Sequence, residues 1–547
     1  MGAVELAPAW KPYSSISGAL ALATYAAAVT WEPELHELRR REELARQMGG
    51  EERVARQHAS GRMTVRERID RLFDPGSFRE TGGLAGRGTY EDGELTAFLP
   101  ANCVVGRGRI DGRPAVVQGD DFTVRGGAAD AAIWQKMVYA ERLANELRMP
   151  LVRLVDGTGG GGSVKSLEDM GHTYVPFIPG FELAGENLSI VPVVAAALGP
   201  VAGLGAARVV AAHFSVIVRD SAQLFVAGPP VVAAAMGETP DKEELGGARA
   251  QTRAGAVDNE AADEDDAFAQ LKRFLSYLPS NVWEAPPLVA STDPPERREE
   301  SLLSIVPRER RKPYKARTIL EAVFDTGSVF EMGARYGRPL ITALARLDGR
   351  SVGVLCSDPN HYAGGLTADA SEKLTRFVDT CDQFRLPVVN FVDQPGFVIG
   401  TEAERRGTIR RGTRALTAVY QATVPWASVL VRKAFGVAGA AHSNAERLNI
   451  RYAWPSGDWG SLPIEGGIEA AYRRELEAAE DPVALRAEIE ERLNAVRSPF
   501  RTAERFGVED IIDPRDTRPL LCDWAQRAHE VIAYELHEGP KRRGLRP

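Results

Sequence analysis

Apolar residues recur along this chain with two different periods, and together they predict an α/β fold. Residues 62–73 place apolar side chains at helical spacing before an Asp-Pro-Gly sequence ends the pattern. Residues 128–147 repeat this amphipathic pattern, and the mostly apolar run at 151–155 predicts a buried strand. Residues 189–197 predict a second buried strand. Strands that alternate with helices in this way indicate a sheet covered by helices.

One stretch of the chain occurs twice. Residues 386–396 read LPVVNFVDQPG, and residues 149–157 read MPLVRLVDG at an offset of 237 positions. The offset holds without a gap between 111–156 and 348–393, where 13 of 46 positions are identical. Solenoid repeats are roughly 20–50 residues long, so this period indicates a duplicated domain. We call the two parts the N-terminal copy and the C-terminal copy, and we expect one active site shared between them.

The duplication sets the expected domain boundaries. Residues 279–315 are rich in proline and charge and read as a linker. We expect an N-terminal extension at 1–44, an N-terminal domain at 45–295 and a C-terminal domain at 296–547. Each domain is long enough to bury a core of its own.

Composition excludes several classes of protein. A net charge of −8 disfavours a general nucleic-acid binder, which would present a basic face. The four cysteines lie far apart and form no CxxC motif, which fits a reducing cytoplasm and predicts neither a disulfide framework nor a metal site. Residues 190–207 carry no charge, but proline and glycine interrupt them, so we expect a strand, a turn and a helix rather than a membrane span.

Each copy is expected to contain two turns of small residues between a strand and a helix, at 157–162 and 199–205 and at 393–400 and 435–439. Small residues let a ligand approach the backbone, and the N–H groups at a helix start point outward. Two such groups aimed at one point form an oxyanion hole. Tight packing of strand on helix would explain one such turn equally well, but four equivalent turns favour function.

Other motifs give weaker signals. Gly157, Gly159 and Gly162 fit the spacing of a dinucleotide fingerprint, but a run of glycines meets almost any glycine pattern. His213 and His442 follow the small-residue turns, and packing is the simpler role for both. A site with backbone donors and no evident side-chain base suits chemistry whose base comes with a cofactor.

Several motifs resemble the carboxyltransferase (β) subunits of biotin-dependent acyl-CoA carboxylases, of the acetyl- and propionyl-CoA carboxylase type. The resemblance begins at about residue 45 and extends over nearly all of the chain that follows. The motifs are NFVDQPGFVIG at 390–400, TVP at 423–425, RKAFG at 432–436, YAWP at 452–455, DFTVRGG at 121–127, LFVAGPP at 224–230 and EELGG at 243–247.

The resemblance implies a fold, a reaction and partners. The fold would be two tandem crotonase-like domains of ββα superhelix architecture, assembled as a homohexamer with sites between different subunits. The N-terminal copy would bind coenzyme A and the C-terminal copy biotin. The reaction would move CO2 from carboxybiotin to the α-carbon of an acyl-CoA, in fatty acid metabolism, with biotin N1 as the base. No biotinylation motif is present, so a partner with biotin carboxylase and biotin carrier functions is expected.

The resemblance also assigns residues. The CoA substrate would be bound by Gly126, Gly127, Gly159, Gly160, Gly203 and Leu204, and the last four of these would surround the thioester. Biotin would contact Gly396, Phe397, Gly436, Val437 and Ala438, of which Val437 and Ala438 would donate N–H groups to its carbonyl oxygen. The catalytic set would be Gly159, Gly160, Gly203, Leu204, Val437 and Ala438, with no metal.

Three departures mark a divergent branch and leave the acyl group open. The first glycine loop, 157–165, differs from the family's usual sequence, so the resemblance aligns its residues only to within one or two positions. Ala440 stands where many members place an acid that tunes acyl specificity, and Trp459 stands where a Met-Gly pair is common.

Three further functions remain open at this point. A carboxyacyl-CoA decarboxylase component would use the same oxyanion holes in the reverse direction. A crotonase-type hydratase or isomerase would need a Glu or Asp beside the thioester. A non-catalytic scaffold of a carboxylase assembly would not retain four small-residue turns.

Overall fold

Two eight-stranded mixed sheets, one in each copy, form the frame of the protein. The computed structural model describes residues 30–127, 131–157, 168, 171–175, 177–448 and 450–536. The strands are β1 Arg79–Thr81, β2 Gly86–Glu91, β3 Glu94–Pro100, β4 Cys103–Ile110, β5 Arg113–Asp120, β6 Leu151–Gly157, β7 Val193–Ala202, β8 Phe214–Val218, β9 Gln223–Phe225, β10 Asn259–Ala261, β11 Phe330–Met332, β12 Leu340–Leu347, β13 Arg350–Ser357, β14 Val388–Gln394, β15 Trp426–Phe435, β16 Arg451–Ala453, β17 Asp458–Gly460 and β18 Asp510–Ile511.

Helices cover these sheets. They are α1 Glu32–Arg46, α2 Glu51–Ala59, α3 Val65–Leu72, α4 Trp134–Leu147, α5 Phe181–Asn187, α6 Leu204–Val210, α7 Pro229–Met236, α8 Lys242–Gly246, α9 Ala248–Ala254, α10 Glu264–Tyr277, α11 Ala316–Val323, α12 Ala368–Gln383, α13 Thr401–Arg405, α14 Thr408–Gln421, α15 Gly436–Ala440, α16 Ile464–Ala471, α17 Arg473–Ala478, α18 Pro482–Val496, α19 Pro499–Ala503 and α20 Thr517–Glu535. Among the described helices, none is both long and apolar enough to cross a bilayer.

The two sheets have the same strand order. The N-terminal sheet runs β1-β4-β5-β6-β7-β8-β10 with β9 beside β7, and the C-terminal sheet runs β11-β12-β13-β14-β15-β16-β18 with β17 beside β15. The first three strands of each path pair antiparallel and the later ones parallel. Strands β4, β5 and β6 coincide with β12, β13 and β14 at the offset of 237. The prediction of two tandem crotonase-like α/β domains is confirmed.

An aspartate holds the hairpin of each copy in the same way. Asp74 accepts hydrogen bonds from the backbone N–H groups of Asp111 and Gly112 at 3.0 and 2.8 Å. Asp325 accepts the corresponding pair at 3.0 and 2.8 Å in the C-terminal copy. Both hairpin residues of each copy have positive φ, which explains the repeated Asp-Gly sequence.

Aromatic and charged side chains join the two copies. Phe330 of β11 packs its ring 5.3 Å from the ring of Phe214 in β8 and 6.4 Å from that of Tyr277 in α10. Beside them, Arg376 of α12 forms an ion pair with Asp258, which precedes β10. The interior of the N-terminal copy is therefore continuous with part of the C-terminal copy.

The structure corrects three details of the sequence-based expectations. Strand β7 continues through Ala202, so the turn expected at 199–205 narrows to Gly203. The helix expected from 128 begins at Trp134, with 128–130 outside the described residues. The stretch at 279–315 is no free linker, because the backbone N–H of Val289 donates to the carbonyl of Gly349 beside β13.

Candidate active site

The N-terminal copy makes its turn at one glycine. Gly203 has φ 59° and ψ −122° and stands as the N-cap of α6, directly after β7. This backbone conformation is open to glycine and strained for other residues. Its own N–H donates to the carbonyl of Phe225. The N–H groups of Leu204 and the next residues lie in the first turn of α6, where a helix provides no intrahelical acceptor. They are available to a ligand oxygen.

The C-terminal copy makes the equivalent turn at Gly436. Its φ is 61°, and it follows β15 as Gly203 follows β7. Val437 is 56% exposed, whereas Ala438 is buried. A Cβ on Gly439 would lie 2.7 Å from the backbone carbon of Ala434, so the close return of the helix onto the strand requires glycine there.

A small cavity lies beside each turn. The cavity of the N-terminal copy has a volume of about 40 Å³, and Leu204, Gln118 and Arg208 are among its lining residues. The cavity of the C-terminal copy has a volume of about 30 Å³, and Ala438, Asn390 and His442 are among its lining residues. The two cavities share no residue, so one chain contains two separate half-sites.

The structure places the other sequence-predicted residues near these turns or outside the described residues. Gly126 and Gly127 form a 3-10 turn against the end of β6, where a Cβ on Gly157 would lie 3.0 Å from the carbonyl oxygen of Gly126. Neither glycine lines the N-terminal cavity. Gly159 and Gly160 lie outside the described residues, as does most of the loop 157–165.

The predicted biotin loop is built on backbone pairing. Leu366 donates to the carbonyl of Gly396 and accepts from the N–H of Val398, both at 3.0 Å. The ring of Phe397 covers α14, where a Cβ on Gly412 would lie 2.3 Å from the ring. Phe397 thus serves the packing of the loop, and Gly396 with φ 127° permits its bend.

Ala440, the predicted specificity residue, is the exposed last residue of α15. Its carbonyl accepts a hydrogen bond from the Tyr420 hydroxyl at 3.3 Å. It does not line the C-terminal cavity.

Buried ion pairs support the N-terminal cavity. Arg208 donates from Nη1 to both carboxylate oxygens of Asp120, at 3.0 and 3.2 Å. Arg153 donates from Nε to Glu141 at 2.9 Å, and Asn187 donates to the other Glu141 oxygen at 2.9 Å. Burial raises the pKa of Asp120 and lowers that of Arg153. Both oxygens of Glu141 are engaged, so it is not placed to act as a hydratase or isomerase base.

The two histidines differ. His213 is buried, accepts from the N–H of Val193 through Nδ1 and contacts the carbonyl of Leu188 through Nε2. Burial lowers its pKa to about 3, so it is a neutral packing residue. His442 lines the C-terminal cavity, and its Nδ1 lies 2.8 Å from the carbonyl oxygen of Gly439. Burial lowers the pKa of His442 as well.

Sequence reasoning missed the polar lining residues of the N-terminal cavity, Gln118, Glu141 and Arg208, and the residues that pair with two of them, Arg153 and Asp120. The available signal was the presence of Arg153 inside an apolar strand and of Arg208 inside an apolar helix. Charged residues in such positions are rarely buried without a partner. Within the described part of the chain, no group of three His, Cys, Asp or Glu residues could hold a metal ion.

The fold and the paired turns define the class of protein: a tandem crotonase-like α/β enzyme. Residues 56–532 match the family model described as "Carboxyl transferase domain". The chain is 38% identical to the propionyl-CoA carboxylase carboxyltransferase subunit of Haloferax mediterranei, over 90% of this chain and 95% of that protein. It is 36% identical to the methylmalonyl-CoA decarboxylase subunit alpha of Veillonella parvula, over 87% of this chain and 92% of that protein.

A solved structure gives the same answer. The crystal structure of the transcarboxylase 12S hexamer with methylmalonyl-coenzyme A and methylmalonic acid bound superposes with a TM-score of 0.82 and 35% identity, covering 95% of this chain and 97% of that one. The chain belongs to the carboxyl transferase family. It is an acyl-CoA carboxyltransferase, which transfers a carboxyl group between biotin and an acyl-CoA.

Proposed function

We propose that the N-terminal copy binds the CoA thioester at the Gly203–Leu204 turn and that the C-terminal copy binds biotin at the Gly436–Ala438 turn. The observation that carries this assignment is a glycine with positive φ, 59° at Gly203 and 61° at Gly436, directly after the equivalent strand in both copies. Two equivalent turns suit a reaction with two carbonyl oxygens to stabilise.

Each turn would stabilise one oxygen. The N–H of Leu204, with the glycines at 159 and 160, would stabilise the negative charge that develops on the thioester oxygen when the α-carbon becomes nucleophilic. The N–H groups of Val437 and Ala438 would hold the ureido oxygen. Biotin, when bound, supplies the carboxyl group and a basic nitrogen. No ionised side chain of this chain is then needed as the base.

The same proposal covers assembly and partners. Exposed apolar side chains lie beside the turns: Val226 is 97% exposed, next to Phe225, and Leu462 is 64% exposed, next to the Ser461 carbonyl that faces Gly436. Apolar residues exposed at a site often mark an interface. We infer a homohexamer, like the transcarboxylase 12S relative, with each site formed between different subunits. A partner with biotin carboxylase and biotin carrier functions would deliver the carboxyl group.

The relatives suggest the substrate and direction. Their names point to propionyl-CoA carboxylated to methylmalonyl-CoA as the first acyl group to test. We retain the division into an extension at 1–44 and domains at 45–295 and 296–547, Ala440 as the specificity position, and a cytoplasmic location. The decarboxylase of Veillonella parvula favours a second candidate, a decarboxylase component that runs the reaction in reverse.

The test uses the purified chain with malonyl-CoA and methylmalonyl-CoA, with and without free biotin, and follows the thioesters by mass. Loss of CO2 only with biotin is the expected result. Loss without biotin would favour a biotin-independent decarboxylase. If CoA thioesters do not bind at all, the assignment of the turns is wrong.

Proline variants test the turns themselves. Leu204→Pro removes one N–H at the first position of α6, where proline fits a helix. Val437→Pro removes one N–H at the second position of α15, within the first turn of that helix. Loss of one oxyanion donor typically lowers kcat about 10²–10³-fold. Leu204→Ala and Val437→Ala keep the N–H groups and control for the lost side chains. Lys242→Pro, at the exposed start of α8, controls for proline itself. Equal rates for the Pro and Ala variants would contradict the oxyanion role.

A further inference from the structure

Two residues that line the cavity of the N-terminal copy each have a buried polar atom without a partner. Among the described residues, neither Oε1 of Gln118 nor Nη2 of Arg208 has a hydrogen-bond partner. Gln118 is 2% exposed and Arg208 is 6% exposed, and both line the cavity of about 40 Å³ that Leu204 also lines. A buried polar atom left unpaired destabilises a protein, because it has lost its hydrogen bonds to water without replacement. A bound ligand that forms hydrogen bonds with both atoms would therefore be favoured.

The charge of Arg208 is already balanced. Its Nη1 donates to both oxygens of Asp120, which also accepts the N–H of Asp156 at 3.3 Å. What Nη2 lacks is therefore a hydrogen-bond acceptor rather than an anion. A carboxylate placed there would add a second negative charge beside Asp120 in a buried site.

Gln118 narrows the choice further. Its Oε1 lacks a donor, whereas Nη2 of Arg208 lacks an acceptor, so a group that both donates and accepts would satisfy the two atoms. A hydroxyl does this with a single oxygen. The other lining residues include Trp134, Met137 and Phe181, which suit the carbon chain that carries such a group.

The C-terminal copy shows that the fold does not need these residues. At the positions equivalent to Gln118, Asp120 and Arg208 it has Leu355, Ser357 and Ala441. Leu355, Ser357 and Ala441 line the C-terminal cavity, as Gln118 and Arg208 line the N-terminal one. Oγ of Ser357 accepts the N–H of Asp393, as Asp120 accepts that of Asp156. Gln118 and Arg208 are thus particular to the cavity of the N-terminal copy and are not required by the repeated scaffold.

We propose that the acyl-CoA substrate of this enzyme carries a hydroxyl on a short acyl chain, with Gln118 and Arg208 as the residues that select it. The hydroxyl accepts a hydrogen bond from Nη2 of Arg208 and donates one to Oε1 of Gln118. This inference rests on the proposed function, because it requires the thioester at Leu204.

The test compares two thioesters that differ only in a methyl and a hydroxyl of similar size. Binding of 3-hydroxypropionyl-CoA and of butyryl-CoA to the full-length chain is measured by calorimetry, without biotin. We expect the hydroxyl compound to bind about 10- to 100-fold more tightly, since the methyl leaves both polar atoms unpaired. CoA alone serves as the reference ligand.

Two variants copy the C-terminal cavity into the N-terminal one. Gln118→Leu removes the acceptor, and the double variant Asp120→Ser with Arg208→Ala removes the donor without leaving a buried charge. Each should lose most of the preference through weaker binding of the hydroxyl compound, while the affinity for CoA changes less than about threefold. Gln526→Leu on α20, which lines neither cavity, should keep the full preference.

Each outcome decides between distinct conclusions. If wild-type chain binds butyryl-CoA as tightly as 3-hydroxypropionyl-CoA, the inference is wrong, and a water molecule fills the cavity instead. If the preference persists in both variants, Gln118 and Arg208 do not select the hydroxyl. If CoA and both thioesters fail to bind, the proposed CoA site is wrong and this inference falls with it.

Discussion

The two copies share a scaffold but differ in the polar groups buried inside it. Their strands, hairpins and glycine turns coincide at fixed offsets. Asp156 and Asp393 end equivalent strands, yet Asp156 is paired by Arg62 and Arg68 from before the sheet, and Asp393 by Arg432 from within it. Both copies therefore neutralise the buried carboxylate at this position, but the arginines that do so come from different parts of the fold.

Gly199 shows why the N-terminal copy cannot pair its aspartate in the way that the C-terminal copy does. It is equivalent to Arg432, and a Cβ on it would lie 2.1 Å from the Asp156 carboxylate and 2.4 Å from Nη1 of Arg62. In the N-terminal copy, glycine leaves the space that the Arg62 guanidinium fills. In the C-terminal copy the strand itself supplies the arginine. Four predictions test the differences between the copies.

The largest effect is expected at Arg68. It pairs Asp156 and Glu264 at 2.8 Å each, and the equivalent residue in α11 is Ile319. Arg68→Ile leaves Glu264 uncompensated and weakens the pairing of Asp156, so we expect a loss near the upper end of the roughly 3–5 kcal/mol seen when buried pairs are broken. Thermal unfolding measures it. Ile319→Val is the control, with a loss of about 1 kcal/mol, and equal effects of the two changes would contradict the role of Arg68.

The next effect concerns Asp120 and Arg208. Arg208→Ala alone leaves Asp120 buried without its cation and should destabilise the protein by about 3 kcal/mol. Adding Asp120→Ser gives the combination found in the C-terminal copy, Ser357 with Ala441, and should recover most of the lost stability. Urea unfolding of the single and double variants measures the coupling. A double variant no more stable than Arg208→Ala would show that Asp120 is tolerated without a cation.

Lys136 and Lys373 occupy equivalent positions but have different hydrogen-bond partners. Lys136 lies 3.5 Å from Glu80, whereas Lys373 donates to the carbonyls of Gly333, Tyr336 and Leu340. Burial lowers the pKa of Lys373 from 10.5 to about 8. The unfolded chain therefore binds more protons between these values, and stability should rise with pH by roughly 2 kcal/mol across the window.

The measurement compares wild type with Lys373→Met by urea unfolding from pH 7.5 to 10. As pH rises, the free energy of unfolding of the wild type should increase relative to that of the variant. Parallel curves for the two proteins would mean that Lys373 titrates normally in the folded state.

The smallest effect concerns helix capping. Thr64 and Glu67 form a capping box at the start of α3, whereas the equivalent N-cap of α11, Lys315, makes no side-chain cap. Thr64→Ala should lose about 1 kcal/mol, and Lys315→Ser should gain up to about 1 kcal/mol. Shifts in Tm of opposite sign test this. No gain from Lys315→Ser would mean that the backbone before α11 cannot place a cap.

The sequence predicted the parts of the structure that the duplication repeats. The ungapped offset located equivalent strands, and the small-residue runs located Gly203 and Gly436 at the ends of β7 and β15. The Arg208–Asp120 pair joins residues 88 positions apart and is absent from the other copy, so neither periodicity nor internal repetition could reveal it. The extent of β7 was also missed, because its glycine and proline resemble turn residues.

The aromatic contacts of Phe330 with Phe214 and Tyr277 have a mechanical consequence. Close-packed interiors do not slide without opening voids, and the ion pair of Arg376 with Asp258 braces the same seam. Among the described residues, these contacts hold the two half-sites of one chain at a constant separation. Neither half-site can therefore open or close by a rotation of one copy against the other within the chain.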